Sequence, residues 1–272
     1  MKKLIYISLI LLFANNAWSQ EIIDTNIIGE QQNYKIKKGD RLFKIARANH
    51  LSVAEMTLAN PQIDNPANIY VGKNLILPFS HILPNAAKEG IVINLAESRL
   101  YYFPTDSQQV FTVPIAVGAE GSDTPTGKTA IVRKRKDPTW TPPAKLREDN
   151  PDLPEVIPAG PNNPLGKYAM DLSWPRFLIH GTNDPKSIGN KESHGCIRLY
   201  PEDIESLFAL VEVGTKVNIV DQPIKIGWVG NKIYIESHLP PEQTKDIDNT
   251  KKIICSKVKI VMAKLIGKKL LR

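Results

Sequence analysis

The chain has 272 residues, 42% of them hydrophobic, which suits one medium domain plus a small one and excludes a disordered or fibrous protein. Two cysteines, Cys196 and Cys255, exclude a disulfide framework, so stability rests on packed cores. The net charge of +7 suits an anionic partner, yet nine Lys or Arg against three acids fall between Pro241 and Arg272, so the tail carries most of the excess.

At the front, Lys2 and Lys3 precede an apolar run from Leu4 to Phe13, and Ala17-Trp18-Ser19 has the small-x-small pattern of a signal peptidase site. The run is too short to span a bilayer comfortably. Residues 1–19 are therefore read as a cleaved signal peptide and the remainder as an exported soluble chain. Export argues against nucleic acid as a partner and leaves anionic envelope polymers or lipid head groups.

Residues 33–79 read as a compact strand-helix-helix-strand unit. Tyr34-Lys35-Ile36 is a short strand, and Gly39-Asp40 turns the chain and caps a helix carrying Leu42, Ile45 and Ala46 on one face. Ser52 and Glu55 form a capping box for a second helix, which stops at Asn60-Pro61 because proline disfavours helical backbone in the residue before it. Val71 to Pro78 returns as a strand. The series Tyr34, Ile36, Gly39-Asp40, Leu42, Ile45-Ala46, Asn60-Pro61, Val71-Gly72, Leu75 and Pro78 resembles a LysM domain. That resemblance implies binding to the N-acetylglucosamine-containing glycan of peptidoglycan or chitin, against the loops near Gly39-Asp40-Arg41 and Asn60-Pro61.

After a polar linker from Ser80 to Gly90 the pattern alternates. Runs at 91–95, 99–103, 110–113, 129–132, 168–172, 177–180, 196–199 and 215–220 read as strands. One helix interrupts them, with Pro201 at its first position, Glu202 and Asp203 at the positive end of its dipole and Gly214 just past its end. Residues 90–220 are thus a mostly-β domain, a sandwich or open barrel with one main helix. Residues 134–167 interrupt it as a long proline-rich insertion, of the length expected of a lid or a disordered loop; Trp140 and the repeated prolines favour a rigid path.

Ser193-His194-Gly195-Cys196-Ile197-Arg198 sets the only cysteine of this domain beside a histidine. A thiol attacks an amide as the thiolate, with an imidazole to take its proton and backbone N–H groups to hold the oxyanion. Two imidazoles offer themselves. His194 lies two residues from Cys196 and would share its face in an extended segment, whereas His180 ends the apolar strand Phe177-Leu178-Ile179-His180. Gly195 and Cys196 offer two N–H donors. Spacing alone does not choose the base. His180, His194 and Cys196 are acceptable zinc ligands, but no compact ligand pair accompanies them, so no metal is expected. His50, His81 and His238 stand near predicted loops and are expected to be solvated.

Ile179-His180-Gly181-Thr182 followed by Ser193 to Arg198, with sixteen residues from His180 to Cys196, resembles the signature of YkuD-type L,D-transpeptidases, and Thr124-Pro125-Thr126-Gly127 resembles that family's turn before a core strand. The insertion is similar to the lid of the Gram-negative, ErfK/YbiS-like branch. The resemblance implies Cys196 as nucleophile and His180 as general base and acid. It places His194 and Ser193 along the site, Gly195 in the oxyanion pocket and Arg198 orienting the site or a substrate carboxylate. Gly181, Thr182 and Trp140 are implied as substrate contacts, and no metal or organic cofactor is needed.

Beyond the catalytic unit, residues 221–240 read as a hairpin about Gly230-Asn231. Residues 241–272 form a basic tail whose Ile254, Val258, Val261 and Leu265 fall at helical spacing, suited to peripheral contact with an anionic membrane or to a solvated helix. Cys255 is expected to be an unpaired bystander. By the family resemblance, the expected protein is a periplasmic enzyme that docks on cell-wall glycan and transfers stem peptides to another stem or to an envelope lipoprotein lysine, in cell-wall organisation and cell shape. The alternatives are an L,D-carboxypeptidase and a non-catalytic wall anchor.

Overall fold

The computed structural model describes residues 26–229 and 232–238. The expected signal peptide, the Gly230-Asn231 turn, the basic tail and Cys255 lie outside them. In chain order the elements are β1 (Ile27–Ile28), β2 (Gln32–Lys35), α1 (Leu42–Ala48), α2 (Val53–Ala59), β3 (Asn74–Leu77), β4 (His81–Ile82), β5 (Gly90–Asn94), β6 (Arg99–Phe103), β7 (Phe111–Pro114), β8 (Val117–Gly118) and β9 (Gly127–Lys136). Then follow α3 (Ala144–Asp149), β10 (Tyr168–Leu172), β11 (Leu178–His180), β12 (Lys191–Ser193), β13 (Ile197–Arg198), α4 (Pro201–Leu210), β14 (Lys216–Val220), β15 (Ile224–Val229) and β16 (Lys232–Ser237). None of the described helices is long and apolar enough to cross a membrane.

The front unit is the expected βααβ module, with β2 antiparallel to β3 and Leu42, Ile45, Ala46, Met56 and Leu75 in its core. Ser52 and Glu55 form the capping box in both directions. The first helix differs from expectation: its N-cap is Arg41 and no side chain caps it. The Asp40 carboxylate instead accepts the Lys37 N–H at 2.7 Å and the Tyr34 hydroxyl at 2.9 Å, closing the turn ahead of the helix.

The catalytic-size domain is an eight-stranded sheet in the order β13-β11-β10-β9-β14-β5-β6-β7, parallel only where β11 meets β13 and β14 meets β5. One face buries Ile91, Ile93, Val113, Ile131, Met170, Ile179, Ile197, Val217 and Ile219 against Ile204 and Leu207 of α4. The other face is covered at its β5–β6 end by Ile28, Leu83 and Val110 around Val92, Tyr101 and Phe103. Its β9–β13 end carries the site.

Strand β9 runs to Lys136, four residues past the predicted run, because pairing with β10 overrides the poor strand propensity of Arg133 to Lys136. Asp171 lies opposite Arg133 and Leu172 opposite Ile131, so Val132 is a bulge residue. A bulge shifts the alternation by one. It lets Ile131 enter the core while Arg133 and Arg135 point to the opposite face.

The front module is clasped to this domain. Arg47 makes two bonds to Glu202 at 2.7 and 2.8 Å, His50 Nδ1 meets Asp203 at 2.5 Å, and Glu55 pairs with the fully buried Arg99. Phe43 packs on Ala116, Ile188 and Tyr200, and the Tyr200 hydroxyl donates to the Leu51 carbonyl. Of these, the contacts of Arg47, His50 and Leu51 grip the chain at Tyr200 to Asp203, a few residues beyond Cys196.

The three histidines expected in solvent all have partners. His50 bonds Asp203; His81 is buried 3.7 Å from Glu97; and His238 bonds Glu236 at 2.6 Å. Their partners lie on other elements or, for Glu236, on a strand whose packing the local pattern does not show.

Candidate active site

The site is built by strand register. Opposite neighbours across a sheet share a face. Arg135 stands opposite Ala169, Ala169 opposite His180, and His180 opposite Arg198, which makes one row on the face away from α4. The next row runs Arg133, Asp171, Leu178, and the parallel register carried one step back from Ile197 brings Cys196 beside Leu178. Cys196 and His180 are therefore diagonal neighbours on one face, a separation of about 7 Å between backbones.

His180 is buried, and its Nδ1 lies 2.6 Å from the Gly181 carbonyl. A carbonyl only accepts, so Nδ1 carries the proton and Nε2 keeps its lone pair. Burial, reinforced by the nearby Arg198 charge, lowers the His180 pKa to about 4. The ring is thus a neutral acceptor at neutral pH.

The Cys196 thiol is pushed up by burial, against the pull of the Leu178 N–H and of Arg198. Its Sγ lies 3.5 Å from the Arg176 carbonyl. At rest the pair is neutral thiol beside neutral imidazole, because the same burial disfavours both charged forms.

The turn before Cys196 is clamped from inside. The Ser193 hydroxyl donates to the Cys196 carbonyl at 2.5 Å and accepts the Gly195 N–H at 3.1 Å. Thr124 links this turn to the Thr124–Gly127 segment, since its hydroxyl donates to the Gly195 carbonyl at 2.8 Å and accepts the Gly118 N–H at 3.0 Å. Gly195 has φ +98°, and a Cβ there would stand 2.9 Å from the Phe177 ring, so glycine is required twice over.

Several expected residues take different places. The left-handed Gly195 breaks the extended geometry that would align His194 with Cys196, and His194 projects into solvent. The Gly195 N–H is engaged by Ser193, whereas the Cys196 N–H has no acceptor among the described residues. Gly181 and Thr182 are buried behind the imidazole. The Gly181 carbonyl holds the ring, and the Thr182 hydroxyl accepts the Asp184 N–H at 2.9 Å.

The proline-rich insertion is ordered by its own polar bonds. Trp140 and Ile157 exchange backbone bonds at 2.9 and 2.8 Å, while fully buried Asn163 donates to the carbonyls of Pro138, Ile157 and Pro158. Its last residues reach the histidine: Gly166 packs on Gly181, and the Leu165 carbonyl lies close enough to bear on the His180 ring. Trp140 is half-buried, fixed at the base of this insertion.

The β10–β11 hairpin contributes features that motif reading missed. Arg176 sits at φ +70° with its carbonyl toward the sulfur, and Trp174 and Phe177 meet edge to face at 6.2 Å beside Gly195. The strained arginine has no sequence signature, although Ser173-Trp174-Pro175 marks a turn.

Among the described residues, one group could hold a metal by ligand type: His81, Glu97 and Glu236, whose ligand atoms lie within 4.8 Å of one another. The Lys225 ammonium already bridges the two carboxylates at 2.6 and 3.0 Å, so this is an internal ion cluster that fastens β15 and β16 to the sheet.

Fold and site together define a mostly-β domain with a thiol and an imidazole on one sheet face, preceded by a βααβ module. The L,D-transpeptidase catalytic domain of the YkuD family matches residues 88–219, and the LysM domain matches residues 34–78. The chain is 39% identical over 243 residues to the probable L,D-transpeptidase YcfS of Escherichia coli (strain K12), an alignment covering 86% of this chain and 76% of that protein. It is 41% identical over 232 residues to the probable L,D-transpeptidase YbiS of the same organism, covering 81% and 74%. To the probable L,D-transpeptidase ErfK/SrfK of Salmonella typhimurium it is 39% identical over 212 residues, covering 74% and 67%. This chain belongs to the L,D-transpeptidase family and is a transpeptidase carrying a LysM domain.

Proposed function

We propose that Cys196 is the nucleophile of a peptidoglycan L,D-transpeptidase and His180 its general base and acid. The observation that carries this reading is that Cys196 and a buried imidazole, its Nδ1 held by the Gly181 carbonyl, stand on adjoining rows of one sheet face. His180 Nε2 takes the thiol proton as sulfur attacks the carbonyl of the diamino acid at stem position three. The Cys196 N–H donates to the oxyanion. Collapse expels the D-alanine amine, which takes the proton from His180, and leaves a thioester. An acceptor amine then attacks, gives its proton to His180 and releases the sulfur with a new amide.

Arg198 favours the thiolate by its charge, and Ser193 and Thr124 hold the turn that presents it. We assign substrate contact to His194, exposed two residues from Cys196, and to Trp140 in the insertion, while the Gly181 carbonyl holds the ring. Thiol, imidazole and N–H donor suffice for acyl transfer without a cofactor.

The LysM domain would hold the glycan strand and raise the local concentration of stems. The apolar leader at residues 1–19 supports export to a periplasm, and the basic tail at 241–272 supports peripheral contact with anionic lipid. Acceptors in keeping with this site are an amine of a second stem, giving a 3→3 cross-link, or a lipoprotein lysine. Incubation of the full chain with a disaccharide-tetrapeptide tests the reading. Release of D-alanine with a new amide between stems is expected. Release with water as acceptor would make the enzyme an L,D-carboxypeptidase, and binding without release would leave a wall anchor.

A further inference from the structure

The hairpin of β15 and β16 is fastened at its base. The buried Lys225 ammonium bridges Glu97 and Glu236, the Asn26 side chain donates to the Ile226 carbonyl at 2.7 Å, and a Cβ on Gly227 would stand 2.6 Å from Ile27. Beyond that row the tip is exposed. Trp228, Val229, Ile233, Tyr234 and Ile235 range from 42% exposure at Trp228 to 57% at Ile233, and they make up five of the eleven exposed large hydrophobic side chains among the described residues. Single exposed apolar residues are ordinary, but five together mark a contact surface.

The register decides what kind of partner fits. Trp228 stands opposite Ile233 and Ile226 opposite Ile235, so these four share one face, whereas Val229 and Tyr234, the latter opposite Gly227, belong to the other. Exposed apolar side chains thus lie on both faces of the tip. A docked segment, from this chain or another, covers one face of a two-stranded ribbon. A lipid interface surrounds the tip, and it suits tryptophan and tyrosine among aliphatic neighbours. The chain that leaves the hairpin supplies the matching charge, since from Lys251 to Arg272 there are eight Lys or Arg and no acid. Such a run is drawn to anionic head groups.

We propose that the tip of this hairpin, Trp228 and Val229 with Ile233 to Ile235, is a wedge that enters the head-group layer of an anionic phospholipid bilayer while the basic tail binds its surface. This rests on the lipid contact assigned to the tail above and adds a folded apolar element to it. The base of the hairpin sits against the β5–β6 end of the sheet, where the Lys225 ammonium meets Glu97 at 2.6 Å and the Tyr101 hydroxyl at 3.3 Å. In the strand order β6 is five spacings from β11, about 24 Å along the sheet from the row of His180. A molecule seated on lipid by this hairpin therefore keeps its thiol clear of the bilayer.

The test uses the chain from Gln20 onward and vesicles of phosphatidylcholine alone or with about 30% phosphatidylglycerol. Sedimentation should show binding to the anionic vesicles. Lipids brominated high in the acyl chain should quench part of the tryptophan fluorescence, and Trp228→Phe, which keeps an aromatic ring, should bind as before and lose that part. Ile233→Ser and Ile235→Ser together should lower the partition constant at least about tenfold, through loss of two aliphatic side chains from the lipid interface, with circular dichroism unchanged. Binding to anionic vesicles without quenching at Trp228, and without loss in the isoleucine variant, would overturn the wedge and leave the tail contact standing. Binding to neither vesicle would overturn both. Shielding of Trp228 from acrylamide in the absence of vesicles would reveal a docked segment or a second copy on the hairpin and overturn the wedge.

Discussion

The resting state of Cys196 can be probed directly by the pH dependence of its alkylation. Burial pushes the thiol above its ordinary value of 9.0 and lowers His180 to about 4. At pH 7 the thiolate fraction is then below about one in a hundred, and about one imidazole in a thousand carries a charge. These directions favour the neutral pair, since a stable thiolate–imidazolium pair needs the thiol below the imidazole. The rate of iodoacetamide modification, followed by intact-protein mass spectrometry, should rise about tenfold per pH unit from 6 to 8 and level off only above pH 9. Arg198→Gln should move the rise to still higher pH, because Arg198 is a charge that favours the thiolate. A pH-independent plateau between about 5 and 8 would refute this reasoning, as it reports a preformed ion pair. On the proposed mechanism, deprotonation then accompanies attack on the substrate instead of preceding it.

Other perturbations test the clasp and the turn. Glu55→Ala strands the fully buried Arg99 guanidinium and removes a capping box, so denaturation should show a loss of about 3–5 kcal/mol for the pair and about 1 kcal/mol for the cap; a loss under about 1 kcal/mol would contradict the clasp. The His50 pKa is raised, chiefly by its bond to Asp203, whereas burial pushes Asp203 up more than His50 pulls it down. A raised folded-state value means that the His50 contribution is full below pH 6.5 and fades as pH climbs through the folded value. His50→Gln should therefore cost stability at pH 6 and little at pH 9, in parallel urea titrations; a pH-independent cost would refute the linkage. Gly195→Ala forces a Cβ against Phe177 at positive φ, a strain of about 1–3 kcal/mol, and should slow D-alanine release from a disaccharide-tetrapeptide at least tenfold (~1.4 kcal/mol). Unchanged release would show that the turn geometry is not needed.

What the sequence made legible was local. Ser52 with Glu55, Pro201 with Glu202, and the spacing from His180 to Cys196 each state their structure within a few residues, because capping and strand periodicity are short-range effects. What it hid was set by partners far along the chain. His50 finds Asp203 and Arg47 finds Glu202 across more than 150 positions, and no local pattern announces either. The bulge at Val132, which turns Arg133 and Arg135 onto the site face, follows from how β9 meets β10 and not from its own residues. Within the motif itself, the left-handed Gly195 undid the simple alternation that would have aligned His194 with the sulfur.

The central claim is that the sulfur of Cys196 carries the acyl group. Rapid quenching of the full chain with a disaccharide-tetrapeptide, followed by peptide mass spectrometry, should find the substrate less D-alanine attached to Cys196. The adduct should be absent in Cys196→Ala and accumulate more slowly in His180→Gln. An adduct on another residue, or D-alanine release by Cys196→Ala at the wild-type rate, would contradict the account.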